Sequence, residues 1–229
     1  MPIKACIFDA YGTLFDVAAA ARQAAAEPAN AAIAESWQAL AADWRQKQLE
    51  YSWLRAITGE HKDFWAVTQD GLDWAMAARN LAGHGALRDR LLALYWNLAP
   101  YPEVPDVLAR LKRAGIATAI LSNGSPEMLE AAVQSAGLAA NLDAVLSVED
   151  VGVFKPDQRV YGLVPARLDV SRDAVLFVSS NGWDIAGAAG FGFFTAWVNR
   201  AGAPQDRLDH PPHEELADLT LIPDIAMAI

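Results

Sequence analysis

Two hydrophobic patterns divide the chain. Short, nearly unbroken apolar runs occur at Ile3 to Phe8, Ile116 to Leu121, Ala174 to Val178 and Phe193 to Val198, with a weaker one at Leu142 to Leu146. Runs of this length without polar alternation predict strands buried on both faces of a parallel sheet. The stretches between them carry helical spacing. Val104 to Ala114 places Val107, Leu108 and Leu111 on one side and stops at Gly115, and Glu127 to Ala136 stops at Gly137. A further helical stretch begins at Lys155-Pro156-Asp157. Strands alternating with helices predict an α/β fold, a doubly wound parallel sheet. Gly202 to His213 reads as loop, and Leu219 to Ile222 as a small edge strand.

Between Phe15 and Pro100 the strand pattern vanishes. Val17 to Ala34 is alanine-rich, with Pro28 as its interruption. Trp37, Leu40, Ala41 and Trp44 mark one face of the next helix, and Arg45, Leu49 and Trp53 form a second line along it. On spacing alone Arg45 is a surface arginine with its stem on apolar neighbours. Phe64 to Asn80 and Ala86 to Leu98 predict two more helices, divided by Gly83 and Gly85. The organisation expected is a core built from residues 1–15 and 99–229, with an all-helical insert over residues 16–98.

Composition narrows the classes. Apolar residues make up 53% of the 229 residues, enough for a sizeable core, and the formal net charge is -10, which argues against a nucleic-acid surface. No run approaches the ~20 apolar residues that cross a bilayer. Met1, Pro2 and Ile3 lead directly into the first strand and leave no room for a signal peptide, so a soluble cytoplasmic protein without membrane or nucleic-acid partners is expected. Cys6, the single cysteine, falls inside a strand and reads as an inert buried thiol.

Three predicted strands end in polar residues: Asp9, then Ser122 and Asn123, then Ser179, Asn181 and Asp184. In a parallel sheet these ends share one edge, where ligand crevices form. One such end is ordinarily a helix cap; three, with Lys155 between the second and third, make a candidate site. His61, His84, His210 and His213 occupy polar or turn-like segments and read as surface residues. No G-x-S-x-G elbow is present. The glycines of Gly187 to Gly192 fit helix packing and not a dinucleotide turn. A carboxylate nucleophile, Asp9 beside the Lys155 ammonium, is what remains.

Asp9-Ala10-Tyr11-Gly12-Thr13, Leu121-Ser122-Asn123-Gly124, Lys155-Pro156-Asp157 and Ser179-Ser180-Asn181-Gly182-Trp183-Asp184 resemble the four ordered motifs of the haloacid dehalogenase superfamily. Trp44 to Tyr51, Phe8 to Asp16 and Phe177 to Asp184 resemble the L-2-haloacid dehalogenases in particular. The resemblance spans essentially the whole chain and implies a Rossmann-like core with a helical cap. Phosphatases of the superfamily carry a second aspartate two residues after the nucleophile, as the acid for a leaving alkoxide; this chain has Tyr11 there. A halide leaves as a stable anion and needs no acid. The fourth motif, with Ser179, Ser180 and Asn181, keeps Asp184 as its only carboxylate, so neither a metal nor another cofactor is implied.

What the resemblance implies is attack by Asp9 at C2 of a short L-2-haloalkanoate, then hydrolysis of the aspartyl ester to a D-2-hydroxy acid. Arg45, Asn123 and Trp183 match the positions that cradle halide. Ser122 and the N–H groups of Ala10 and Tyr11 would hold the substrate carboxylate. Lys155 would offset the charge clash, and Thr13, Tyr161 and Ser179 would orient it and Asp9. Asn181 and Asp184 would position water, and Tyr11, Gln46, Leu49, Phe64 and Trp183 would wall an apolar pocket. Ala10 stands where a larger apolar residue is expected, which makes the pocket roomier. A homodimer is implied as well. The alternatives are a related hydrolase opening azetidine-2-carboxylate, a Mg²⁺-dependent phosphatase, and a binding module without turnover.

Overall fold

The computed structural model describes residues 2–229; Met1, which sequence reading places ahead of the first strand, lies outside them. Strands β1 (Ala5–Phe8), β2 (Ala117–Ser122), β3 (Ala144–Ser147), β4 (Val175–Ser179), β5 (Phe194–Val198) and β6 (Glu214–Leu216) form one parallel sheet in the order β3-β2-β1-β4-β5-β6. Every residue of β1 and β4 is buried, which is why both read as unbroken apolar runs. The chain fills the β3 side of β1 first and then crosses to the other side at β4. That reversal opens a crevice beyond the carboxyl ends of β1 and β4.

The edge strand differs from the sequence expectation. It is Glu214–Leu216, and Ile222 instead opens helix α9 (Ile222–Ala228, numbered last in the chain) with a proline in its first turn. Pro223 has no N–H for a ladder, and its fixed φ suits the start of a helix. Leu219 and Ile222 still reach the core, but from a turn and a helix.

Between β1 and α5 (Val104–Arg113) the chain is helical: α1 (Ala19–Ala26), a 3-10 segment (Pro28–Ile33), α2 (Trp37–Thr58), α3 (Phe64–Ala78) and α4 (Gly85–Trp96). The buried residues of α2 are Leu40, Trp44, Gln48 and Ser52, a single line at spacing four. Gly71 lets α3 approach that line, since a Cβ there would stand 3.2 Å from the Gln48 nitrogen. The helical segment leaves and rejoins the sheet at one place, where the Tyr101 N–H donates to the Leu14 carbonyl at 2.9 Å and Phe15 bridges Pro100. Arg200 clamps this junction, donating to the Thr13 carbonyl at 3.3 Å and to Glu103 at 2.6 Å. Helices α6 (Pro126–Ser135), α7 (Gln158–Leu168) and α8 (Gly182–Phe191) complete the layers around the sheet.

Candidate active site

Asp9 leaves β1 in the crevice, with its N–H held by the Val178 carbonyl of β4 at 2.9 Å. The turn that follows relies on Gly12 at φ +94, a conformation open to glycine. Asp9 is 6% exposed, and a carboxylate so buried needs partners. Its Oδ1 accepts from Lys155 Nζ at 3.2 Å. Its Oδ2 accepts from Thr13 Oγ1 and from Asn181 Nδ2, both at 3.1 Å. Asn181 occupies the N-cap of α8 but makes no cap bond. Its side chain, of a type favoured for capping, is used on Asp9 instead.

Lys155 is fully buried, in the loop before α7 and not on the helix itself. Besides Asp9, its ammonium pairs with Asp184 Oδ2 at 2.8 Å. Burial disfavours the lysine charge, but Asp184 and Asp9 outweigh it and hold the ammonium above its ordinary range. Asp184 is pushed up, by burial first and by the Asp9 charge as well, against the pull of Lys155. Tyr161 donates to Asp184 Oδ1 at 2.8 Å, and burial followed by the Asp184 charge keeps its phenol well above the ordinary range. Tyr161 therefore bonds Asp184 and not Asp9 or the lysine. Ser179 Oγ accepts the Asn181 N–H at 3.1 Å, which shapes the turn that presents Asn181.

Arg45 is not a surface arginine. It reaches from α2 across to the core, where Nη2 donates to the Tyr11 carbonyl and to Asn181 Oδ1, each at 3.3 Å, and Nη1 donates to Gln48 Oε1 at 2.9 Å. All three acceptors are neutral, and among the described residues Arg45 makes no ion pair. Asn123 Oδ1 accepts the Lys155 N–H at 3.0 Å, which turns the Asn123 amide N–H₂ the other way. Ser122 Oγ accepts the Gly124 N–H at 3.1 Å. Among the described residues the N–H groups of Ala10 and Tyr11 have no acceptor.

Asp9, Tyr11, Arg45, Leu49, Phe64, Ser122, Asn123, Asn181 and Trp183 line one narrow cavity of about 10 Å³. Thr13, Lys155, Tyr161, Ser179 and Asp184 stand behind it, all fully buried. Trp183 meets Trp53 of α2 edge-on at 5.4 Å between centroids. Gln46 is not in this pocket. It is exposed, because it lies about 100° around the helix from Arg45. His61 also departs from expectation: it is half-buried, bonded to Glu149 at 3.0 Å and packed on Phe154 at 4.8 Å, so it joins the helical segment to the sheet domain. Cys6 is buried, and burial pushes its thiol well up, as an inert residue requires.

Sequence reasoning missed Gln48, Thr68 and Tyr95, which back Arg45 from inside the helical segment. One signal existed. Leu40, Trp44, Gln48 and Ser52 share one helical line, and two polar residues on a buried line call for partners.

Comparison with known proteins agrees with this geometry. A family model for haloacid dehalogenase-like hydrolases matches residues 3–192. The chain is 43% identical over 228 residues to (S)-2-haloacid dehalogenase 1 of Pseudomonas sp. (strain CBS-3), covering 100% of this chain and 98% of that one. It is 46% identical to the (S)-2-haloacid dehalogenase of Xanthobacter autotrophicus over 198 residues, 86% of this chain and 76% of the relative. The structure of the L-2-haloacid dehalogenase from Xanthobacter autotrophicus with chloropropionic acid covalently bound superposes with a TM-score of 0.86 at 39% identity, covering 97% and 98% of the two chains. A dehalogenase with an intermediate complex reaches 0.93 at 40% identity, covering 98% and 97%. The chain belongs to the haloacid dehalogenase-like hydrolases, within their (S)-2-haloacid dehalogenase branch.

Proposed function

We propose that the protein hydrolyses short L-2-haloalkanoates to D-2-hydroxy acids through an ester on Asp9. The observation that carries this reading is a nucleophile and an unneutralised cation facing one small cavity. Asp9 Oδ2 already accepts two hydrogen bonds and Oδ1 only one, so Oδ1 keeps the free lone pair and is the attacking atom. It forms the C2–O bond as the carbon–halogen bond breaks, with inversion, and the halide departs with the bonding pair. Arg45, the Asn123 amide and the Trp183 edge receive it. The free N–H groups of Ala10 and Tyr11, with Ser122, hold the substrate carboxylate. Water guided by Asn181 and Asp184 then adds to the Asp9 carbonyl carbon and releases the hydroxy acid, its proton leaving through Asp184. Tyr11, Leu49 and Phe64 supply an apolar wall to a narrow site, which favours short substrates such as 2-chloropropionate or monochloroacetate.

The donor set does not fit Mg²⁺. That ion asks for a near-octahedral shell of oxygens, whereas Asp9 and Asp184 are bridged by the Lys155 ammonium, and Asp9 Oδ2 faces the O–H and N–H donors of Thr13 and Asn181. Tyr11, where a phosphatase needs its acid, has a phenol that burial holds well above its ordinary range. A metal-free displacement at carbon follows.

The deciding experiment is one turnover of L-2-chloropropionate in H₂¹⁸O with enzyme in excess and chelator present. The expected result is ¹⁸O in the Asp9 peptide and an unlabelled hydroxyl on D-lactate. Label in lactate alone would make water the nucleophile and Asp9 its base.

Residues 16–98 act as the cap, and residues 1–15 with 99–229 as the core, in a cytoplasmic homodimer. Exposed Leu54, Ile57 and Trp74 on α2 and α3 support pairing through the cap. Light scattering should give twice the chain mass, and Ile57→Glu should lower it; a wild-type protein of single-chain mass at micromolar concentration would count against pairing.

A further inference from the structure

Gln48 lies one turn beyond Arg45 on α2 and is 1% exposed. Its amide is held in one orientation. Thr68 gives its only hydroxyl proton to the Phe64 carbonyl at 2.7 Å, so it can only accept from Gln48 Nε2, also at 2.7 Å. A guanidinium can only donate. Gln48 must therefore face Arg45 with its oxygen, at 2.9 Å. The Tyr95 hydroxyl closes the amide's remaining side, 3.0 Å from Nε2 and 3.3 Å from Oε1. The Tyr95 ring in turn stacks on Tyr11, a wall of the cavity, at 5.7 Å and 14°. Trp44 donates to the Thr68 carbonyl at 2.8 Å, which fixes the α2–α3 spacing on which this depends.

Glutamate has nearly the same shape and would pair more strongly with an arginine. It would also neutralise the guanidinium, and it could not donate to Thr68. A neutral acceptor orients Arg45 and leaves its charge intact.

We propose that Gln48 is a positioning residue for halide departure: oriented by Thr68 and Tyr95, it holds the Arg45 guanidinium over the cavity without neutralising it. This rests on the dehalogenation reading, and its test separates the two. Wild type, Gln48→Met and Gln48→Glu are compared in single turnovers of L-2-chloro-, 2-bromo- and 2-iodopropionate. Bromide affinity is measured alongside by quenching of tryptophan fluorescence, and melting temperature is recorded.

A poorer leaving group depends more on stabilisation of the departing anion. In Gln48→Met the chloro substrate should therefore slow by about tenfold more than the iodo substrate, and bromide should bind about tenfold more weakly, the loss of one charge-assisted hydrogen bond. Gln48→Glu should skew the same ratio further, because the new carboxylate occupies Arg45. If Gln48 only fills space, all three substrates slow equally and bromide affinity stays at the wild-type value, which overturns the proposal. Should Gln48→Met fail to fold, Tyr95→Phe releases one side of the amide and should give a smaller skew in the same direction; a flat profile there is equally fatal. A wild type that releases no halide removes the dehalogenation reading and this role together. Wild-type turnover with flat variant profiles removes the role of Gln48 alone.

Discussion

Asp184 shows how one buried side chain serves two demands. Its two oxygens are committed to Lys155 at 2.8 Å and to Tyr161 at 2.8 Å, and it has no solvent contact. Burial raises its pKa above the ordinary 3.8, which suits the proton-accepting part that the proposed mechanism gives it in ester hydrolysis. Asp184→Asn should leave the first step and stall the second, so the Asp9 ester accumulates and is seen on the intact protein by mass spectrometry. In the wild type the rate of ester breakdown should fall as pH drops through the raised Asp184 value, while halide release is less affected. Equal pH dependence of both steps would remove Asp184 from the hydrolytic half.

At the scale of elements, the site depends on how closely α8 lies against the loop that carries Lys155 and against α7. Gly187 makes that approach possible: a Cβ there would stand 2.5 Å from the Tyr161 hydroxyl and 2.9 Å from Pro156. Gly187→Ala should cost roughly 1–3 kcal/mol of stability, read as a lower midpoint in urea. It should also slow turnover, since the atom displaced is the one that holds Asp184. Normal stability and activity would mean that α8 can shift without disturbing the site. Gly124 plays the parallel part beneath Tyr11, whose ring a Cβ there would approach to 2.8 Å.

Across the whole molecule, one ammonium balances two carboxylates inside the core. Lys155→Met would leave Asp9 and Asp184 buried without a counter-charge and should cost about 3–5 kcal/mol near neutral pH. The deficit should shrink as acid protonates Asp184, whose pKa is raised by burial. In the wild type the lysine contributes to the alkaline limit beside the Cys6 thiol and the Tyr11, Tyr95 and Tyr161 phenols, all raised by burial. Because the folded pKa of Lys155 is raised above 10.5, its stabilisation is complete below that ordinary value and is lost as pH rises through the folded one. Thermal melts from pH 8 to 12 should therefore hold steady and then fall steeply on the alkaline side. A Lys155→Met protein as stable as wild type at pH 7 would show that the triad is not ionised as described.

The sequence by itself determined five of the six strands, the helical insert and which polar strand ends meet at one edge. Buried strands such as Val175–Ser179 must be apolar throughout, and the ends of parallel strands must share an edge, so periodicity and polarity suffice. Only the tertiary structure decided where α2 points its side chains. Gln46 and Gln48 differ by two positions and by everything else, one in solvent and one buried against Thr68 and Tyr95. Arg45 reads as a surface residue along the helix, and becomes a half-buried cation only because the insert folds back over Tyr11 and Asn181. The division of labour around Asp184 was equally hidden, since Asp184 sits on α8 and Lys155 and Tyr161 on the loop and helix of α7, segments whose meeting depends on Gly187. Local pattern records which face of an element is apolar. Which polar group it meets across the fold is set by packing between segments distant in the chain.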